Sequence, residues 1–275
     1  VKRLVMELGG HAPVIVFKGA DLDVAVAETT KAKFATSGQD CLGANRIFVE
    51  RPIYEAFCEK FTEATRALSV GIGMDDPDIG PLMNVSAVQK QEEHVADALK
   101  KGAKLACGGK RHALGPLFYE PTVLVDVPAD AFIMHEETFG PIAPITSFET
   151  EEEVVARAND SEYGLSGSVW TNDDAKGVEI AKQLETGSVQ LNDASTAYGV
   201  LEAPFGGMKE SGLGQVNGKG ALRSYTFQQP IIIDRWKRKT EQHWYPHTDK
   251  TAEELDQLVK YVYGTWMKKL WFMGK

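Results

Sequence analysis

The sequence predicts an α/β fold in which a mostly parallel sheet is flanked by helices. Short apolar runs alternate steadily with longer segments whose apolar residues recur at helical spacing. Capping residues stand at the starts of several of those longer segments. At 275 residues and 43% hydrophobic content the chain can bury a large core, as one domain or two. Alternation of this kind favours parallel strands joined by helices that cover the faces of the sheet.

The elements follow in order. Residues 1–6 read as a strand that begins abruptly and without Met, which points to a missing beginning. Val14 to Phe17 is a short apolar strand, and Asp21 caps a helix running toward Phe34. Arg46 to Val49 reads as a strand. Pro52 then opens a helix to Leu68, where its missing N–H costs nothing. Ile53, Phe57, Phe61, Ala64 and Leu68 form the apolar stripe of that helix, with Cys58 packing beside it. Asn84 caps a helix through Lys101, and Lys104 to Cys107 is a strand ended by Gly108-Gly109. Two strand–helix pairs follow, Ile142 to Phe148 with Glu151 to Asn159 and Ser166 to Trp170 with Asp173 to Leu184, before a last strand from Ser188 to Leu191.

Composition excludes several functions. A net charge of −9 leaves no large basic field to neutralise phosphates, so nucleic acid is not an expected partner. Three cysteines imply no disulfide framework and fit a reducing compartment such as the cytoplasm. The chain contains no 18-residue apolar run. Its six histidines show no metal-ligand spacing apart from His243 and His247, which read as surface or packing residues. It has no Gly-x-Gly-x-x-Gly between a strand and a helix; Gly212-Leu213-Gly214 with Gly218 has the wrong spacing.

What remains is a cysteine and a distant carboxylate. Cys41 ends the run Gly38-Gln39-Asp40-Cys41, and Glu7 opens Glu7-Leu8-Gly9-Gly10 upstream of it. A thiolate can attack a carbonyl, and a carboxylate can serve as general base for the thiol and then for water. Four further motifs stand in the same order along the chain: Asp78-Ile79-Gly80-Pro81-Leu82, His135 to Pro141, Ser188 to Asn192, and the glycine-rich run from Pro204 to Gly212. Together the six resemble the NAD(P)-dependent aldehyde dehydrogenase superfamily over roughly residues 1–235.

That resemblance implies an aldehyde-dehydrogenase-like catalytic domain over residues 1–226, an oligomerisation strand over 227–235 and a tail over 236–275. It implies Cys41 as nucleophile and Glu7 as general base, with Glu137 hydrogen-bonding the nicotinamide ribose and Phe139 packing near the nicotinamide. Asp40, Leu42 and Asn192 would lie at the substrate pocket, with the loop from Asp193 to Tyr198 at its mouth. The implied reaction oxidises an aldehyde to a carboxylic acid with NAD or NADP through a thiohemiacetal and a thioester, in a homo-oligomer. The family's nucleotide-binding domain and its oxyanion-hole asparagine would precede Glu7, so the chain by itself is expected to be inactive or nearly so. At Gln215-Val216-Asn217 relatives usually carry a charged pair at a subunit contact.

The chain is similar to the succinate-semialdehyde dehydrogenase branch, yet Ala35 stands where members of that branch commonly have Arg, and Asp40 would repel an anion. A neutral or apolar aldehyde is therefore the expected substrate, with succinate semialdehyde or a non-catalytic role for the fold as alternatives. In the tail, the basic run Arg235 to Lys239 precedes a helix with a Thr251/Glu254 capping box and an amphipathic stripe of Leu255, Leu258, Val259, Val262, Trp266 and Leu270. With Lys268, Lys269, Lys275 and Trp271, residues 251–275 read either as a helix lying on a membrane surface or as one docked on protein.

Overall fold

The computed structural model describes residues 2–235, 237, 239 and 244–264. The chain divides into two compact units, Val1–Phe227 and Gln228–Lys275.

The first unit is built on one seven-stranded sheet. Its strands are β2 (Pro13–Val16), β3 (Arg46–Glu50), β4 (Lys104–Cys107), β5 (Thr122–Val125), β6 (Ile142–Phe148), β8 (Ser166–Trp170) and β9 (Ser188–Leu191). They lie in the order β4-β5-β6-β3-β2-β8-β9, and every neighbouring pair is parallel except β4 with β5. Parallel neighbours need crossovers, supplied by α1 (Leu22–Phe34), α2 (Tyr54–Arg66), α3 (Val85–Lys101), α4 (Glu151–Asn159) and α5 (Asp174–Ala181). The central strands β2, β3, β6 and β8 are buried on both faces, as a sheet covered on both sides requires. Ile15, Phe48 and Val169 join α3, α4 and α5 through Val88, Val95, Val154 and Ile180. Val14, Val16, Ile47 and Val49 face α1 and α2 through Ala25, Ala32, Phe57 and Phe61.

Local chemistry sets the helix ends. Asp21 accepts from the amides of Asp23 and Val24, and Asn84 from that of Ala87, satisfying first-turn donors that lack helical partners. Gly102, in the left-handed region, closes α3. Pro52 lies within a short 3-10 turn, Arg51–Ile53, so the helix after it starts at Tyr54, and it stops at Arg66. Cys58 is buried beside Phe57 and Phe61, as its place next to the stripe predicts.

Three short pieces complete the unit: β1 (Met6–Glu7) pairs with β11 (Gly212–Leu213), β7 (Tyr163–Gly164) pairs with β10 (Met208–Lys209), and α6 is Gly218–Ser224. The expected strand over residues 1–6 thus shrinks to Met6–Glu7, because its partner strand is two residues long. Strand β5 escapes a reading by alternation, since no α-helix separates it from β4 or from β6 and only the 3-10 turn Phe132–Met134 lies before β6.

In the second unit α7 spans Asp249–Tyr263. Its cap is Thr248, which accepts from the Thr251 amide, rather than the expected box at Thr251. Leu255, Leu258, Val259 and Val262 of the stripe are exposed, and Gly264 ends the helix. Trp266, Leu270 and the other tail residues beyond 264 lie outside the described residues, as does His243. Gln229 to Asp234 form no strand pairing among the described residues. Among those residues no helix is long and apolar enough to cross a membrane.

Candidate active site

The sheet brings three sequence motifs to one edge. Gly9-Gly10 shortly precedes β2, Cys41 precedes β3, and Glu137 to Pro141 precedes β6. These strands are neighbours and parallel, so their entering loops converge. Contact between the loops is close enough to need glycine. A Cβ on Gly10 would stand 2.0 Å from the Cys41 carbonyl oxygen, one on Gly38 2.2 Å from the Gly140 oxygen, and one on Gly9 3.0 Å from Glu137 Oε2. The Gly10 amide donates to Glu137 Oε1 at 2.8 Å. Glu7 is held from another side: its strand pairs with Gly212, and the Leu8 amide donates to the Ser211 carbonyl at 3.0 Å.

The loop carrying Cys41 is strained. Thr36, Ser37 and Gly38 have φ of 51°, 62° and 72°, and Phe139 on the facing turn has φ of 44°. Residues with side chains cost energy in this region and need surrounding contacts to hold them there. The loop beginning Asp78-Ile79-Gly80 supplies those contacts. Ser37 Oγ accepts from the Gly80 amide at 2.9 Å and donates to the Gly80 carbonyl, and Gln39 Oε1 accepts from the Met83 amide at 2.8 Å. Asp40 Oδ1 accepts from the Leu42 amide at 2.8 Å, closing the turn around Cys41.

Electrostatics at this edge disfavour a free thiolate. Burial pushes the Cys41 thiol above its ordinary value, and the Asp40 carboxylate, then those of Glu137 and Glu7, push it the same way. Cys41, Asp40, Leu42, Glu137 and Phe139 are half-buried, while Glu7 is exposed. The structure therefore gathers Cys41, Glu7, Asp40, Glu137 and Phe139 at one edge.

Asn192 is placed otherwise. It follows β9 at the opposite edge of the sheet. Its Oδ1 accepts from the Thr171 amide at 2.9 Å, a strand-ending use of the side chain. The loop after it is closed by Asp193 Oδ1, which accepts from the amides of Ser195 and Thr196. Helix α1 runs from that edge back to the Cys41 edge, and an open, mainly apolar groove of about 320 Å³ lies along it, lined by Ala27, Thr30, Lys31, Phe34, Ala35, Leu68 and Asp78.

Two buried groups escape the sequence reading. Lys33 is fully buried on α1, donates to Asn45 Oδ1 at 2.8 Å, and is pushed down to about 7 by burial. Its signal is a lysine at i+4 from Thr29 and i+7 from Val26, on the packed face of the helix. His11 is buried among the same elements with both ring nitrogens unpartnered among the described residues, and burial holds it well below its usual value. Gly212-Leu213, the nearest approach to a phosphate loop, is instead the strand that pairs with Met6-Glu7. Among the described residues no cluster of three or more His, Cys, Asp or Glu could hold a metal ion.

Fold and site together define a thiol-bearing α/β domain of the aldehyde dehydrogenase kind, and the chain belongs to the aldehyde dehydrogenase family, which it matches over residues 1–231. It is 46% identical over 226 residues to the succinate-semialdehyde dehydrogenase [NADP(+)] of Escherichia coli (strain K12), covering 82% of this chain and 46% of that protein. The identity is also 46% over 226 residues, with the same coverage, to a glutarate-semialdehyde dehydrogenase of Pseudomonas aeruginosa. A crystal structure of an E. coli NADP-dependent enzyme superposes with a TM-score of 0.79 at 46% identity, covering 82% of this chain and 46% of the other. The chain thus spans about half the length of the curated relatives it matches.

Proposed function

We propose that residues 1–226 form the catalytic portion of an NAD(P)-dependent aldehyde dehydrogenase in which Cys41 is the nucleophile. The observation that carries this reading is the convergence of three loops around Cys41, with Gly10 packed against its carbonyl and Glu137 bonded to Gly10. The Cys41 thiol is held protonated by burial and by its carboxylate neighbours, so attack requires a base, and the exposed Glu7 takes that proton. Sulfur adds to the aldehyde carbon to give a thiohemiacetal. Loss of hydride from that carbon and of the hydroxyl proton to solvent leaves a thioester, and Glu7, having passed the thiol proton to solvent, deprotonates the water that releases the acid and restores the thiol.

The residues present fit the nicotinamide end of a dinucleotide. Glu137 is half-buried with Oε1 fixed by Gly10, and Oε2 accepts no hydrogen bond among the described residues, which leaves it for a ribose hydroxyl. Phe139, two residues on, offers a ring for packing at the same edge. The bound cofactor, NAD or NADP, would supply the hydride acceptor.

Ala35, which puts no cation near the Cys41 loop, and the Asp40 carboxylate beside Cys41 support a neutral or apolar aldehyde. The names of the relatives favour the second reading, an aldehyde that also carries an acid group such as succinate semialdehyde. A kcat/KM comparison of hexanal with succinate semialdehyde, in an enzyme containing this chain, separates the two, and a preference for the acid overturns the first.

Residues 227–235 are read as a strand completed by pairing with a second copy, and 236–275 as a separate tail. The exposed Ile231, Ile232 and Ile233 support that pairing. The exposed stripe of α7 supports contact with a membrane surface or with protein. Liposome co-sedimentation with and without residues 240–275 distinguishes these. Three unpaired cysteines fit the reducing cytoplasm.

An activated ester tests the chemistry without a hydride acceptor. With p-nitrophenyl acetate, Cys41 should release nitrophenolate in a burst, Cys41→Ser should abolish it, and Glu7→Gln should slow the steady state. Release that survives Cys41→Ser unchanged refutes the nucleophile and leaves a non-catalytic member of the fold.

A further inference from the structure

Beneath the converging loops a chain of hydrogen bonds starts at a buried lysine. Lys33 Nζ donates to Asn45 Oδ1 at 2.8 Å, Asn45 Nδ2 donates to the Gly10 carbonyl at 3.3 Å, and the Gly10 amide donates to Glu137 Oε1 at 2.8 Å. Lys33 and Asn45 are both fully buried. Gly10, the middle of this chain, is also the residue with no room between itself and the Cys41 backbone. A displacement at Lys33 is therefore passed to both the Cys41 loop and Glu137.

Lys33 also sits among charged and titratable groups. Its ammonium faces Asp40 on the Cys41 loop and Glu137 on the turn before β6, both of which favour its protonated form. His11 before β2 and His94 on α3 also feel Lys33, and burial keeps both of them on the neutral side. Asp40 and Glu137 are two of the three carboxylates that oppose thiolate formation at Cys41. An apolar side chain on this face of α1 would fill the same space without burying a titratable group.

We propose that Lys33 is a positioning residue for the chemistry of Cys41: through Asn45 it fixes the Gly10 turn, against which the Cys41 backbone is packed and to which Glu137 is bonded. This rests on Cys41 being the reactive thiol of the proposed function. Burial holds Lys33 at about 7, and its Nζ can donate to Asn45 Oδ1 either as an ammonium or as a neutral amine.

The test measures alkylation of Cys41 by iodoacetamide against pH in the full 275-residue chain, with the modified peptide quantified by mass spectrometry. It needs neither cofactor nor aldehyde, so its outcome is independent of whether the chain oxidises anything. Lys33→Met should change the Cys41 alkylation rate about tenfold at every pH while Cys107 keeps its wild-type rate. Asp40→Asn should move the Cys41 midpoint downward with Lys33 present or replaced, because the Asp40 carboxylate opposes the thiolate. A Lys33→Met chain with native far-UV circular dichroism and an unshifted alkylation profile overturns the proposal, even where its melting temperature changes. If Lys33→Met does not fold, the wild-type chain and Asp40→Asn decide. The Lys33 Cε carbon resonance should titrate near neutrality and at lower pH in Asp40→Asn, whereas titration above pH 10 in both overturns the proposal.

Discussion

Gly10→Ala adds one methyl group where three motifs meet. Gly10 is buried, and its φ lies outside the left-handed region, so alanine is conformationally permitted there and the perturbation is steric. The new carbon would sit 2.0 Å from the Cys41 carbonyl oxygen, 3.1 Å from its carbonyl carbon and 3.3 Å from Leu165 Cβ. Restoring even a tight 3.0 Å contact requires the Cys41 backbone to retreat by about 1 Å from 2.0 Å. The oxygen is backbone, in a loop already held at positive φ over residues 36–38, so rotating a side chain does not relieve the clash. Overpacking of this size costs about 1–3 kcal/mol of stability, and a misplacement of about 1 Å at a reacting atom costs about 10² in rate. Urea unfolding reads the first effect and the nitrophenyl acetate burst reads the second, with alkylation of the half-buried Cys107 as an internal standard. Gly220→Ala is the control, since a Cβ there meets nothing within 4 Å. A folded Gly10→Ala chain whose burst rate lies within twofold of wild type would falsify the account of how the loops support Cys41.

Two further predictions concern the buried cations. The Arg46 guanidinium donates to the carbonyls of His11 at 3.0 Å, Arg157 at 3.0 Å, Ala158 at 2.7 Å and Asp160 at 3.3 Å, closing the end of α4 onto the sheet. Arg46→Met should cost about 3–5 kcal/mol in urea unfolding, and a loss under 1 kcal/mol would show that water replaces the guanidinium without penalty. Lys33 has a folded value of about 7 against an ordinary 10.5, so between those limits the unfolded chain holds a proton that the folded chain lacks. Stability should therefore rise with pH across that window, by on the order of 5 kcal/mol if no other group intervened. Cys58, pushed up to about 12 by burial, works in the opposite direction above its ordinary value of 9.0. The quantity to measure is thus the wild-type slope minus that of Lys33→Met, and a zero difference between pH 7 and 10 refutes the burial of a titrating lysine.

Much of the fold was legible because its signals are local. Asp21 and Asn84 cap the helices they were expected to cap, and six of the seven sheet strands follow from short apolar runs. Strand β5 is hidden for a physical reason: β4 turns back into it antiparallel, and only a single 3-10 turn, with no α-helix, comes before β6, so the strand–helix alternation carries no trace of it. The cap of α7 was misplaced by three residues because Thr248 and Thr251 offer the same hydroxyl, and backbone geometry chooses between them. Lys33 was passed over because residue type argues for the surface, whereas its burial depends on what packs over α1.

The sequence by itself determined most element types, the family and a cysteine with carboxylates in a fixed order, since period, caps and motifs are properties of neighbouring residues. Only the tertiary structure decided that β6, β3 and β2 lie side by side, and hence that Glu137, Cys41 and Gly10 arrive at one edge while Asn192 leaves from the other. Strand order is set by which faces the crossover helices cover, an interaction between segments far apart in the chain. Whether Cys41 is a thiol or a thiolate is likewise a property of that edge, through burial and the carboxylates brought to it.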